Sequence, residues 1–144
     1  EGDVAVVAGM GAMTIINIIN ESMEAADSFK RLIFQPMRNR AQLRKYLFTT
    51  GYLIIDEDVA LEDKKFYEII VAKKAHLVPF DEIDIIVGPV LRYKKTPVVL
   101  EYINYRMNIL QNLIEGLKTS NSEAGRRAVL KHEKQLKALR EVIK

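Results

Sequence analysis

Two rhythms of apolar and polar positions divide the chain. As far as residue 75, short β-rich apolar runs alternate with helical stripes; from Pro97 onward only the three-and-four spacing of long helices remains. The first run, Val4 to Ala8, stops at Gly9-Met10-Gly11, and a helix opens near Ala12. Such a continuous apolar run predicts a strand buried on both faces. Strand, glycine turn and helix together put backbone N–H groups and a helix N-terminus at the carboxyl end of a parallel sheet. In open α/β folds ligands bind at that edge.

A second short strand, Lys30 to Pro36, is ended by a proline that cannot donate to a central ladder. Asn39 is placed to cap a helix over 41–50, with Leu43, Tyr46 and Leu47 as its apolar stripe and Gly51 at its end. Two further β-rich runs, 52–55 and 66–71, flank an acidic connector from Asp56 to Lys65. They predict an antiparallel pair, with Val59 to Glu62 extending the first strand towards a turn at Asp63-Lys64. The order so far is β-α-β-α-β-β. Residues 79–96 read as a linker broken at Gly88-Pro89.

Pro97 suits the first position of a helix. Ile103, Leu110, Leu113 and Leu117 form its stripe, with Arg106 at one stripe position. After a polar turn, Ser122 can cap a second helix whose seam is Val129, His132, Leu136, Leu139 and Ile143. Narrow matching seams around a short turn predict an antiparallel helical hairpin of coiled-coil type.

Composition adds exclusions and one asymmetry. The chain has no cysteine, so disulfides, thiolate metal sites and cysteine nucleophiles are ruled out. Its longest apolar-rich stretch, 4–19, is broken by Gly, Thr and Asn, too short to span a bilayer and without a basic leader region; a cytoplasmic location is the default. The net charge of +3 hides a split: residues 1–91 hold ten Lys/Arg against fourteen Asp/Glu, and residues 92–144 hold twelve against five. An asymmetry of this kind points to a polyanion partner for the basic end, with a solvated helical surface as the alternative.

The opening strand is too apolar for an exposed edge, and only two helices precede the hairpin, too few to cover both faces of a parallel sheet. The expectation is therefore the second half of a doubly wound domain whose first half is absent from this chain. A homodimer pairing two Val4–Ala8 strands is the alternative.

The small residues Gly9 and Gly11 leave room for a flat ring, with strand-end amides to bond its edge; a turn needed only for helix packing is the other reading. The stretch could be misread as a GxGxxG dinucleotide fingerprint with Thr14 in the place of the last glycine, but the next strand ends in Phe34-Gln35-Pro36 without the required acid, so no NAD site is expected. Gln35, Pro36 and Arg38 follow the second strand at the same edge: Gln35 could read a base, Arg38 hold a phosphate, or both lie in a solvated turn. Phe66 and Tyr67 suit the core better than base stacking. His76 and His132 lie in different elements without ligand-spaced acids, so no metal is expected. On the second long helix Arg127, Lys131 and Lys134 share a face, as Arg126, Lys137 and Arg140 do less tightly. Six phosphate contacts there would give a log–log salt slope of roughly −5 on duplex.

The blocks Val7-Ala8-Gly9-Met10-Gly11-Ala12, Arg31 to Pro36, Leu43-Arg44, Leu61 to Ile69 and Val87-Gly88-Pro89, in this order, resemble the TrmK-type tRNA (adenine-N1)-methyltransferases. The resemblance covers nearly all of the chain and lies in the set rather than in any one block. It implies the C-terminal half of a Rossmann-like methyltransferase sheet over 1–91, with antiparallel edge strands, and a tRNA-binding helical hairpin over 92–144. S-adenosylmethionine is the implied methyl donor, N1 of an adenine in the tRNA D-arm the acceptor. Ala8, Gly9 and Met10 are the implied cofactor contacts, and Gly9, Met10, Gly11 and Gln35 the catalytic edge. Two departures stand out. Ala12 replaces a family glycine, which should narrow access, and the family's acidic, glycine-rich signature and its ribose-binding acid have no counterpart. The cofactor site is thus expected to be completed by an upstream half. A non-catalytic tRNA-binding remnant and the homodimer are the rival readings.

Overall fold

The computed structural model describes residues 2–144, which fall into two compact units, one ending at Lys94 and one spanning Lys95–Lys144. The first contains strands β1 (Val4–Met10), β2 (Arg31–Pro36), β3 (Tyr52–Glu62) and β4 (Lys65–Lys74) and helices α1 (Ala12–Glu21), α2 (Met23–Ser28), α3 (Arg40–Thr49) and α4 (Glu82–Ile86). The strands form a mixed sheet in the order β1-β2-β4-β3, with β1 parallel to β2 and the remaining pairs antiparallel. Among the described residues the molecule is thus an α/β protein with one four-stranded sheet and six helices. No helix among them is long and apolar enough to cross a membrane.

Ile15, Ile16 and Ile19 of α1 and Leu43, Leu47 and Phe48 of α3 are buried in one cluster with Leu32, Phe34, Ile54, Ile70 and Ala72 of the sheet. Spacings of three and four on the helices and of two on the strands bring these side chains to a common layer. Against the expectation for β1, burial is one-sided. Ala5 and Val7 pack on the core, while Val4 and Val6 remain 46% and 64% exposed. Val4 and Val6 stand on the face of the sheet opposite Ala5 and Val7, and β1 is the outermost strand of the described sheet, with β2 on one side only.

The acidic stretch from Asp56 is not a connector. β3 runs unbroken to Glu62, and the turn is Asp63-Lys64 alone, both residues having positive φ as a tight two-residue hairpin requires. The register shifts between Ile54 and Asp56, so Ile55 is an extra residue. Such a bulge changes which side chains face the core. After it Glu57 and Val59 are buried and Asp56 and Asp58 exposed. The expected linker of 79–96 is also partly ordered. Asp81 and Asp84 form a capping box on α4, and a 3-10 turn follows at Leu91–Tyr93.

Local details differ in smaller ways. Ser22 separates α1 from a further short helix, α2, that the apolar pattern does not mark. Asn39 does stand at the N-cap of α3, but with φ of 56° and without a side-chain bond to the helix.

The second unit consists of α5 (Pro97–Leu117) and α6 (Glu123–Ile143), which pack on each other. Pro97 opens α5, and Ser122 Oγ accepts the Gly125 N–H at 3.0 Å to cap α6. The seams drift from the expected ones: Ile114 rather than Leu113 is buried, and Val142 rather than Ile143. A straight helix of 3.6 residues per turn departs from a strict heptad stripe within two or three heptads.

Candidate functional site

The carboxyl ends of β1 and β2 bring together most of the residues singled out on the first unit. Pairing runs from Val4–Arg31 to Ala8–Gln35, then skips Gly9 so that Met10 stands opposite Pro36. Gly9 occupies this irregularity with φ of +74°, a conformation that favours glycine. Its N–H donates to Gln35 Oε1 at 2.9 Å. The Met37 N–H then donates to the Met10 carbonyl at 2.8 Å, and the Ala12 N–H to the Arg38 carbonyl at 3.2 Å. These three bonds clasp the segment after β2 onto the glycine turn.

Space and exposure at this edge suit a ligand. A Cβ built on Gly9 would meet nothing within 4 Å, and Ala8, Gly9 and Met10 are exposed. Gly11 is the N-cap of α1, and a Cβ there would come within 3.1 Å of Arg38 Nε, so the arginine lies across this glycine. Pro36 is buried beneath the edge. Ala12 is wholly buried in the core, so its methyl group points away from the opening and does not narrow it.

Sequence reasoning named Met10 but missed two further thioethers beside it, Met13 and Met37. Met10, Met13 and Met37 are 38%, 49% and 50% exposed around the turn. Gln35 Nε2 donates to Met37 Sδ at 3.2 Å and Gln42 Nε2 to Met13 Sδ at 2.8 Å. Thioether sulfur is a weak acceptor, so each amide keeps donor capacity for a better partner. Phe66 and Tyr67 are half-buried on β4.

Under the edge lies a charge network that the apolar pattern also concealed. Arg44, Glu57 and Glu68 are at most 1% exposed. Arg44 Nε donates to Glu57 Oε1 at 2.8 Å, and its Nη2 to Glu68 Oε1 at 3.3 Å. Arg40 Nε is 3.0 Å from Glu68 Oε2. Glu57 Oε2 accepts the N–H groups of Val90 and Leu91 at 2.9 and 3.2 Å. Burial pushes the Glu57 carboxyl above the usual glutamate range, opposed by the Arg44 guanidinium and those two N–H groups. The signal present in the sequence was the phase of Glu57 and Glu68, which share their strand faces with Val59 and Ile70.

On α6 the side chains of Arg126, Arg127, Lys131, Lys134, Lys137 and Arg140 are all exposed, while Leu136, Leu139 and Val142 are buried; Lys137 and Arg140 border the groove that Leu136 lines with Ile114 of α5. Arg127 pairs with Glu123 at 3.4 Å, and Arg126 Nη1 donates to the Asn121 carbonyl. His132 is half-buried with Nδ1 3.4 Å from Gln135 Oε1. Among the described residues no group of three or more His, Asp or Glu could hold a metal ion.

The family model for TrmK, tRNA (adenine(22)-N(1))-methyltransferase, matches residues 1–141. The tRNA (adenine(22)-N(1))-methyltransferase of Bacillus subtilis (strain 168) is 28% identical over 149 residues, covering 99% of this chain but 63% of the relative. A Streptococcus pneumoniae protein crystallised in complex with S-adenosyl-L-methionine is 27% identical, with a TM-score of 0.81 over 99% of this chain and 60% of its own. A protein of the NADB-Rossmann superfamily from Streptococcus agalactiae is 26% identical, with a TM-score of 0.82 over 99% of this chain and 60% of its own. The chain thus spans under two thirds of the length of the relatives it matches.

Proposed function

The chain belongs to the TrmK family, tRNA (adenine(22)-N(1))-methyltransferase, and from that premise we propose that its β1–β2 edge receives the target adenine for methylation at N1. The observation carrying this reading is the exposed irregularity at Gly9 near the end of β1, where a flat ring can approach the backbone and nothing stands within 4 Å of an added Cβ.

S-adenosylmethionine, when bound, supplies an electrophilic methyl group, with Ala8, Gly9 and Met10 as the residues of this chain beside it. Adenine N1 is already a usable nucleophile, so the task left to the protein is alignment, which accounts for much of the rate in such displacements. Gln35 holds Gly9 through its carbonyl oxygen, and its amide can leave the Met37 sulfur to bond the base edge. Arg38, lying over Gly11, is placed to meet a flanking phosphate, which fixes register rather than identity.

In this reading residues 1–91 are the C-terminal half of the methyltransferase domain, and 92–144 an antiparallel helical hairpin that grips tRNA through the α6 cations. The position of the apolar β1 at the outer edge of the described sheet supports a further strand beside it and a cofactor site completed there, because exposed edges are ordinarily short, charged or covered.

The test is a calorimetric titration with S-adenosylmethionine and a methyl-transfer assay on tRNA, on this chain and on a polypeptide that adds an upstream half of the domain. Cofactor binding and N1-methyladenine formation are expected only in the longer polypeptide. Tight cofactor binding by this chain alone would overturn the divided site. tRNA binding with no methyl transfer by either would favour a non-catalytic RNA-binding role, and dimers with neither activity a structural one.

A further inference from the structure

β4 runs antiparallel to β2, and its pairing with β2 includes Phe34 opposite Ile70. Glu68 lies two residues from Ile70 towards the carboxyl end of β2, on the same strand face. This places a wholly buried carboxylate below the segment that leaves β2 at the candidate site. Its two oxygens face two guanidinium groups, Arg44 from the middle of α3 and Arg40 from its first residue. A buried ion pair contributes little net stability over an apolar replacement. What it supplies here is a fixed geometry, because the carboxylate cannot remain charged and buried without those partners.

The segment 36–40 is thus tied at both ends. β2 holds its start, and the Arg40–Glu68 pair holds its end. Between them the Met37 N–H and the Arg38 carbonyl make the two backbone bonds that clasp the glycine turn.

We propose that Glu68 is a positioning residue for the site: by anchoring Arg40 and Arg44 it sets the 36–40 segment, and through it Arg38 and the Gly9–Gly11 turn. The assignment rests on the methyl-transfer reading of that edge for its functional meaning, but its physical content does not.

The experiment is amide hydrogen exchange on the chain carrying Glu68→Gln. Exchange at Ala12 and Met37, whose N–H groups form the clasp, is expected to rise about tenfold, while Leu32 and Phe34 in the β2 ladder stay as in the parent. In a polypeptide active in methyl transfer, the same substitution should lower kcat and leave KM for S-adenosylmethionine unchanged, and Arg40→Lys should retain more activity than Arg40→Gln. Unaltered exchange at Ala12 and Met37, or an equal rise across the whole sheet, would overturn the assignment. If Glu68→Gln does not fold, Arg40→Gln removes the same anchor from a partly exposed side chain and the same amides decide. Exchange requires neither cofactor nor tRNA, so a chain that never methylates would sink the proposed function and leave this result readable.

Discussion

Gly88 presses against the carboxylate of Glu57: a Cβ at position 88 would sit 2.3 Å from Glu57 Oε2, and the residue has φ of +120°. Both facts demand glycine, and together they explain the Val87-Gly88-Pro89 block physically. The turn lets the next two N–H groups reach a buried carboxylate. Gly88→Ala is expected to destabilise the chain by about 2–4 kcal/mol, combining backbone strain with overpacking. Urea denaturation measures this, and a loss under 1 kcal/mol on the scale of an ordinary surface change would refute the close approach.

The two glycines of the candidate site should behave oppositely. Gly9→Ala meets no neighbour but must hold a left-handed conformation, which costs about 1–2 kcal/mol, partly offset by the less flexible unfolded chain. Gly11 has φ of −70°, so alanine is tolerated by the backbone, but its Cβ displaces Arg38. Gly11→Ala should therefore change stability by about 0.5 kcal/mol or less and weaken tRNA binding several-fold. Thermal denaturation beside filter binding separates the two. Equal losses of stability would contradict the geometry.

A pH dependence follows from the buried carboxylate. Because burial raises the folded-state pKa of Glu57 above its unfolded value, the native state holds more protons than the unfolded one in the window between them. The group's stabilising contribution is full below the ordinary value of 4.5 and declines as pH rises through the folded pKa. Glu57→Gln cannot titrate, so the stability of the parent relative to this variant should fall as pH rises from the ordinary value of 4.5 through the raised folded-state value. A difference that grew with pH would mean that Arg44 and the two N–H groups outweigh burial.

How much could be read in advance depended on the range of the forces involved. The strand–turn–helix at Val4 to Glu21 was legible because its apolar run, glycines and helical stripe are all local signals. So was the order of strands and helices through residue 75, apart from the short α2. The continuation of β3 through Asp56–Glu62 was only partly legible, because a one-residue bulge at Ile55 turns alternate acids outward and hides Glu57 inside. Its partner, Arg44, is 13 residues away, and Glu68 is 24 from Arg44, so no periodicity connects them. At the site, Gln35 was placed beside Gly9 by strand ends alone, whereas the Gln42–Met13 contact joins two helices and leaves no mark in the sequence.

The basic face of α6 gives the prediction with the clearest physical signature. Arg127, Lys131 and Lys134 are exposed on one side of a helix whose other side is its seam, so neutralising them should leave the fold intact. Phosphate contacts release condensed counterions, and each lost contact lowers the steepness of salt dependence by about 0.9 on B-form duplex and about 0.7 on single strands. The triple change to Gln should therefore reduce the log–log slope of tRNA binding by about 2–3 and weaken binding uniformly across tRNA sequences. Lys30, paired with Asp3 at 2.8 Å on the first unit, serves as the control, and Lys30→Gln should leave the slope unchanged. Filter binding across a salt series reads both. If the triple variant kept the parent's slope, the α6 cations would be a solvated surface, and the grip on tRNA would have to be sought on the first unit.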